Sequence, residues 1–477
     1  MSLTQALRRT LRGRDQQDWR ATVAAYLSEP SSFWGPDAPR HADKIETKKR
    51  ALRERDGLSD ADLIDAVISM AAKRRRERPP PVYVTGLGGS GSHWVAGMLN
   101  DLGGMVAAGE IYLPTSLHQR LDALDGGDQA CAVDAVHLLH GWPRTPDVWA
   151  ASIVNCAAGV QRLRIAKAWD PGALGIHLVR DPRDQVLSVT FRKAAFRRYE
   201  DPDASDTQYL ERMARRNATS FHQSLAVADV IDLRYRYEDL RDDPRPLLRD
   251  VLRALGRTVD EAAVERSAVA HDAATIRAGK GARISNLDEG GRARTWQEAT
   301  GPAQQRMLHM HLVDVVHGLG YPPGDCMGTP LPEHDLPART LHFPGGPPGP
   351  LYHRAGATWE PVDATDDGIT VPAGAPALLR IATAAGGLRS VAGCGAADLQ
   401  ALCVAANADV TDDELVHLQG LSGLRTLDLA RTAVTDAGLE HLGALAGLQQ
   451  LHLAGTDTTA EGRARLAAAA PQLTIWV

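Results

Sequence analysis

The sequence predicts an α/β chain with a central parallel sheet, followed by a short repetitive solenoid. Three observations predict it. From residue 82 to about 321, short apolar runs alternate with helical patterns, the order expected of a parallel sheet with crossover helices. Within that span, Val82–Leu99 and Gly175–Ser188 each read as strand, turn and helix, with glycine or proline at the turn. Beyond residue 391, apolar segments beginning at Leu399, Leu424, Leu448 and Leu473 recur at spacings of 25, 24 and 25.

Residues 1–80 read as an N-terminal helical extension. Ala61–Met70 places Leu63, Ile64, Val67 and Ile68 on one side, with Ser59 or Asp60 as cap. Pro79-Pro80-Pro81 ends it. This segment carries 17 Lys/Arg against 12 Asp/Glu, a net of +5, and so leaves −11 for the rest of a chain whose net charge is −6. The basic run Lys73–Arg78 reads as a solvated helix end, where the dipole favours cations. No aromatic residues interleave with it, which argues against a nucleic-acid partner. No apolar run approaches the roughly 20 residues that span a bilayer. Arg8, Arg9, Arg12 and Arg14 interrupt any signal-peptide core, so a cytoplasmic location is expected. The five cysteines, at 131, 156, 326, 394 and 403, form no Cys-x-x-Cys pair, so neither a disulfide framework nor zinc is expected.

The stretch Val82–Leu99 begins with the buried strand Val82-Tyr83-Val84. A Gly-rich turn follows, and a helix face with Trp94, Met98, Leu99 and Leu102. Strand, Gly-rich loop and helix make an anion cradle, because free N–H groups and the helix dipole meet at the helix start. Three readings compete. Gly86 and Gly91 have the spacing of a kinase-type P-loop, but Ser92 and His93 stand where Lys and Ser/Thr are needed. Gly86, Gly88 and Gly91 fit the dinucleotide pattern Gly-x-Gly-x-x-Gly, with Glu110 near the distance of a ribose-binding acid. Gly89-Ser90-Gly91-Ser92-His93-Trp94 is similar to a third pattern, the 5′-phosphosulfate loop of sulfotransferases.

The second junction decides among them. Ile176–Val179 reads as a strand, Asp181 as a helix cap, Pro182 as the first helical turn and Asp184 as an acid near the helix start. Arg180 is positioned either to meet a phosphate at that edge or to pair with an Asp that closes the turn, and Ser188 adds a hydroxyl two turns in. Arg180-Asp-Pro-Arg-Asp-x-x-x-Ser188 after an apolar strand resembles the 3′-phosphate motif of sulfotransferases. Tyr237-Glu-Asp-Leu240 and the loop Gly290-Gly-Arg292-Ala-Arg294-Thr-Trp296 follow in family order. The resemblance covers residues 81–321 and implies a P-loop-like sulfotransferase fold. It also implies a 3′-phosphoadenosine 5′-phosphosulfate (PAPS) donor, released as the bisphosphate PAP, without a metal. Gly88, Gly89, Ser90, Gly91, Ser92, His93, Trp94, Arg180, Ser188, Tyr237, Arg292 and Arg294 are its nucleotide-binding residues.

The same resemblance frames the catalytic expectations. The family carries Lys or Arg where this chain has Gly89, so another cation must serve. Lys167, at the end of an expected strand Leu163–Ala166, is one substitute, and Arg292 and Arg294 are others. Glu110, which follows Gly109 as the base of tyrosyl-protein sulfotransferases follows a glycine, ranks first as base. His140 and His137 follow it. Sulfuryl transfer to a hydroxyl or amine of a small-molecule, peptide or protein acceptor is expected. The alternative is a weak or inactive PAP(S)-binding scaffold.

The remaining segments are a Pro/Gly-rich linker over 322–350, with 9 of the 28 prolines, and a small β element over 351–390. Residues 391–477 resemble leucine-rich repeats, one strand and one helix each. They are expected to dock on that β element. They read equally as a stabilising or oligomerising appendage and as a concave surface for a protein or peptide.

Overall fold

A computed structural model describes residues 18–34, 39–77, 81–110, 113–141, 148–154, 159–192, 203–225, 228–272, 295–322, 336–343, 346–355, 358–363, 368–381 and 387–477. The chain divides into two compact units, Met1–Arg180 with Thr219–Ala293, and Asp181–Ala218 with Arg294–Val477.

The first unit opens with helices α1 (Trp19–Ser28), α2 (Pro39–Asp56) and α3 (Asp60–Glu77). Asp18 caps α1 by accepting from the Arg20 amide at 3.0 Å. Ser59 and Asp62 bond reciprocally at the start of α3, which satisfies two amides there. Next come β1 (Val82–Gly86), α4 (Ser92–Asp101), β2 (Met105–Glu110), α5 (Thr115–Leu121), α6 (Gly126–Gly141), β3 (Val148–Val154), α7 (Gly159–Trp169) and β4 (Leu174–Val179). The expected strand Leu163–Ala166 is therefore part of a helix. Its neighbours from Gly159 to Trp169 supply a helical stripe that the four-residue window hides.

The sheet has the order β2-β3-β1-β4-β5, where β5 is Leu233–Arg236, and every pair is parallel. Val82 and Val84 face α4 (Val95, Met98, Leu99) and the later helices α10 (Tyr237–Asp242), α11 (Arg245–Ala254) and α12 (Glu261–Ala270). Tyr83 faces α7, against Leu163 and Ala166. Alternation along β1 thus buries both faces, as helix-covered parallel strands require. The N-terminal helices are no loose extension. Tyr26, Leu63 and Val67 share one buried cluster with Leu117, Val136 and Leu139 of α5 and α6.

The second unit holds α8 (Pro182–Arg192), part of α9 (Asp206–Leu225), α13 (Trp296–Ala299) and α14 (Pro302–Gly318). It also holds β6 (Arg339–Leu341), β7 (Leu351–Ala355), β8 (Thr358–Pro361), β9 (Ile369–Val371), β10 (Ala377–Arg380), β11 (Ala401–Cys403), β12 (Thr426–Asp428), α15 (Asp436–Leu442), β13 (Gln450–His452), α16 (Ala460–Ala469) and β14 (Thr474–Trp476). A seven-stranded sheet runs β14-β13-β12-β11-β10-β7-β8. From β10 to β14 it is parallel, so the array does continue the small β element. One strand face, with Leu402, Leu427 and Leu451, is buried in the main core.

Two pairs of neighbouring segments in this unit are joined alike. Asp412 accepts the Thr435 amide and hydroxyl, each at 2.7 Å. Asp436 accepts the Thr459 amide at 2.7 Å and its hydroxyl at 2.6 Å. The opposite strand face does not lie open. Cys403, Ala405, Ala430 and Ala454 pack on Val313 and Met310 of α14. α14 thus shares a unit with the strands β11–β14, and β6 lies within the stretch 322–350 expected as a linker.

Candidate anion-binding site

The carboxyl ends of the parallel strands define the edge where open α/β sheets take ligands. At the end of β1 the chain turns at Leu87, whose carbonyl receives the Ser90 amide at 3.0 Å. Gly89 and Gly91 both have φ +92°, and Gly91 sits directly before α4. A Cβ on Gly91 would come 2.7 Å from Cδ2 of Tyr237, so glycine is needed there twice over. The Ser90 hydroxyl is buried and has no hydrogen-bond partner among the described residues. A bound anion offers it an acceptor.

Arg180 follows β4 and is 6% exposed. Its Nη1 donates to the Gly89 carbonyl at 3.1 Å, and its guanidinium lies 4.6 Å from the centre of the Tyr237 ring. Its Nε is buried without a partner among the described residues. Tyr237 opens α10 and meets Trp94 edge-on at 5.8 Å. The Trp94 indole donates to the His271 carbonyl at 3.0 Å. His271, which the sequence did not single out, also meets Asp101 at 3.0 Å. Loop, cation and aromatic pair therefore form one cluster. Gly88 and Gly89 are half-buried, Ser92 is buried, and His93 is exposed.

On the other unit, the residues after Arg180 are built for anchoring. Asp181 accepts the Arg183 amide at 3.0 Å, which fulfils its capping role, and also takes the Arg183 guanidinium in a fork. Arg183 stacks on Trp296 at 4.4 Å and donates to the Pro322 carbonyl at 2.6 Å. Asp184 accepts the Trp296 amide at 2.6 Å. Ser188 is buried on the same helix. Arg292 and Arg294 lie outside the described residues.

The other expected residues separate by edge. Glu110 ends β2 at the carboxyl edge, opposite Ser152 of β3 across an irregular register. Lys167 goes elsewhere. It lies on α7, paired at 2.6 Å with Asp232, whose carboxylate also accepts the Gly175 amide near the start of β4. That is the entering edge, so Lys167 is no substitute for the loop cation. His137 and His140 lie on α6, not at a strand end. His137 meets Tyr83, the second residue of β1, at 6.1 Å. Burial, reinforced by Lys48 and Lys44 of α2, pushes His140 down to about 4, so it faces the N-terminal helices.

Beneath the loop, Thr85 and His177 are register partners, and burial with Arg234 pushes His177 down to about 4. Among the described residues no group of three or more His, Cys, Asp or Glu is arranged to hold a metal ion. None of their helices is long and apolar enough to cross a membrane.

The Sulfotransferase family profile matches residues 155–261. That span contains Lys167, Arg180, Ser188 and Tyr237 and lies after the Gly-rich loop. It includes none of the C-terminal repeats. Among solved structures, the chain is similar to mouse sulfotransferase SULT7A1 complexed with PAP, at 14% identity over 53% of this chain and 92% of that one, TM-score 0.34. It is similar to retinol dehydratase in complex with androsterone and inactive cofactor PAP, at 17% identity over 52% and 85%, TM-score 0.34. It is also similar to sulfotransferase STF9 from Mycobacterium avium, at 12% identity over 65% and 93%, TM-score 0.36. No curated protein matches the chain.

Proposed function

We propose that this chain is a PAPS-dependent sulfotransferase, with its C-terminal array built as leucine-rich repeats. The observation that carries the reading is the cluster of Arg180, Gly89, Ser90, Gly91 and Tyr237. It combines a buried cation, an orphaned hydroxyl and a backbone stripped of Cβ atoms at a helix start. Such a site suits a phosphate. The family match over 155–261 supports sulfuryl transfer as the chemistry.

PAPS, when bound, supplies the sulfuryl group that passes in line to an acceptor hydroxyl or amine and leaves PAP. Arg180 reaches the carbonyl of Gly89, the position where the family has its loop cation. We assign Arg180, which the motif resemblance gives to the 3′-phosphate, instead as the cation of that loop, with Ser90 and the first amides of α4 completing the cradle. Glu110, at the carboxyl edge, is proposed to take the acceptor proton. Ser188, Arg292 and Arg294 are proposed as further nucleotide contacts on the motif resemblance alone.

Thermal melts test the nucleotide. PAP should raise the melting temperature, while NAD and ATP with Mg²⁺ raise it little. Equal stabilisation by NAD overturns the reading. Labelled sulfate from PAPS, traced into a mixture of small molecules and proteins, then identifies the acceptor.

A further inference from the structure

Helix α14 is held on the strand face of the array by a buried charged seam. His309 Nε2 lies 2.6 Å from Oδ2 of Asp428, and Asp428 is fully buried. The same carboxylate accepts from the Cys403 thiol at 3.2 Å and from the Ala430 amide at 3.0 Å. Next to Asp428 in the ladder stands His452, 2% exposed. Its ring centre is 5.0 Å from that of His309, and neither of its nitrogens has a partner among the described residues.

We propose that His309, Asp428 and His452 form an acid-released latch, holding α14 on the repeat strands at neutral pH and freeing it on acidification. The carboxylate of Asp428 is the acceptor at the centre of this seam. A proton on His452 would place a cation in a buried position where neither ring nitrogen has an acceptor among the described residues.

The surrounding groups bear on this. Burial pushes His452 down to about 4, with Asp428 opposing and His309 and Arg306 reinforcing. Against its own burial, Asp428 is held below the usual carboxylate range, by His309 first. Arg306 stacks on Trp476 at 4.0 Å, and Asp314 pairs with Arg431 at 2.9 Å. His311 faces Glu211 at 3.4 Å; burial lowers its pKa, and Arg215 and Arg431 add to this.

The latched state keeps His452 neutral, whereas release returns it to water and its ordinary value of 6.5. Release therefore takes up a proton. The contribution of His452 to the latch is at full strength above that ordinary value and weakens as pH falls toward about 4.

Hydrogen exchange of the full chain between about pH 7.5 and about pH 4.5, corrected for intrinsic rates, tests the latch. Protection of residues 302–318 should fall on the order of 100-fold across that range. His452→Gln should keep that protection at the acid end, and Asp428→Asn should lose it already at neutral pH. Unchanged protection of the native chain overturns the proposal. So does a His452→Gln profile identical to the native one. The native profile decides the matter even if Asp428→Asn does not fold.

Discussion

Replacing Arg180 with alanine removes the guanidinium that bonds the Gly-rich loop. The guanidinium is buried, 3.1 Å from the Gly89 carbonyl and 4.6 Å from the Tyr237 ring centre. A charge-assisted contact to phosphate is worth about 1.5–3 kcal/mol. At about 1.4 kcal/mol per decade, the loss corresponds to about 10–150-fold in Kd. Two ligands locate the contact: PAP carries both phosphates, and adenosine 5′-phosphate carries the loop phosphate alone. Isothermal titration should show Arg180→Ala weakening both by a similar factor, with Arg180→Lys keeping part of the affinity. A loss confined to PAP would move Arg180 to the 3′-phosphate and refute its assignment as the loop cation. Unchanged affinity for both would remove it from the site.

Two further outcomes are expected. Glu110→Gln keeps the shape of the side chain and removes the base, so turnover of the identified acceptor should fall roughly 10²–10⁴-fold with PAP affinity unchanged; normal turnover would assign the base elsewhere. A chain ending at Tyr321 loses the strands that cover Val313 and Met310 and the carboxylate that pairs His309. At about 1.5–3 kcal/mol per buried apolar side chain, its thermal midpoint should fall by several degrees, and an unchanged midpoint would show that α14 needs no cover.

Where the sequence was legible, local chemistry and tertiary structure agreed. Val82–Val84 and Asp181-Pro182 each carry their own start or stop, and each forms where expected. Residues that depend on distant partners were not legible. Arg-Leu-Arg-Ile over 162–165 alternates like a strand, yet lies on a helix because its apolar side packs on Tyr83. Arg183 and Asp184 look like ordinary helix-start charges, and only the fold brings Trp296 to them. Nothing local marks His271, whose value to Trp94 is a backbone carbonyl. The strand face of the array reads as open in sequence, because a helix about a hundred residues earlier covers it.

The aspartate–threonine stitches give the array a grammar of its own. Asp412 places Thr435, and Asp436 places Thr459, each across 23 residues. Every unit thus specifies the seat of its successor rather than its own. Copy number can therefore change where length cannot. A whole unit inserted after one threonine brings its own aspartate and leaves each span intact. A single-residue deletion within a span breaks both bonds of that stitch and turns the following strand over. Duplication is the permitted edit of residues 391–477, and small deletion is the forbidden one.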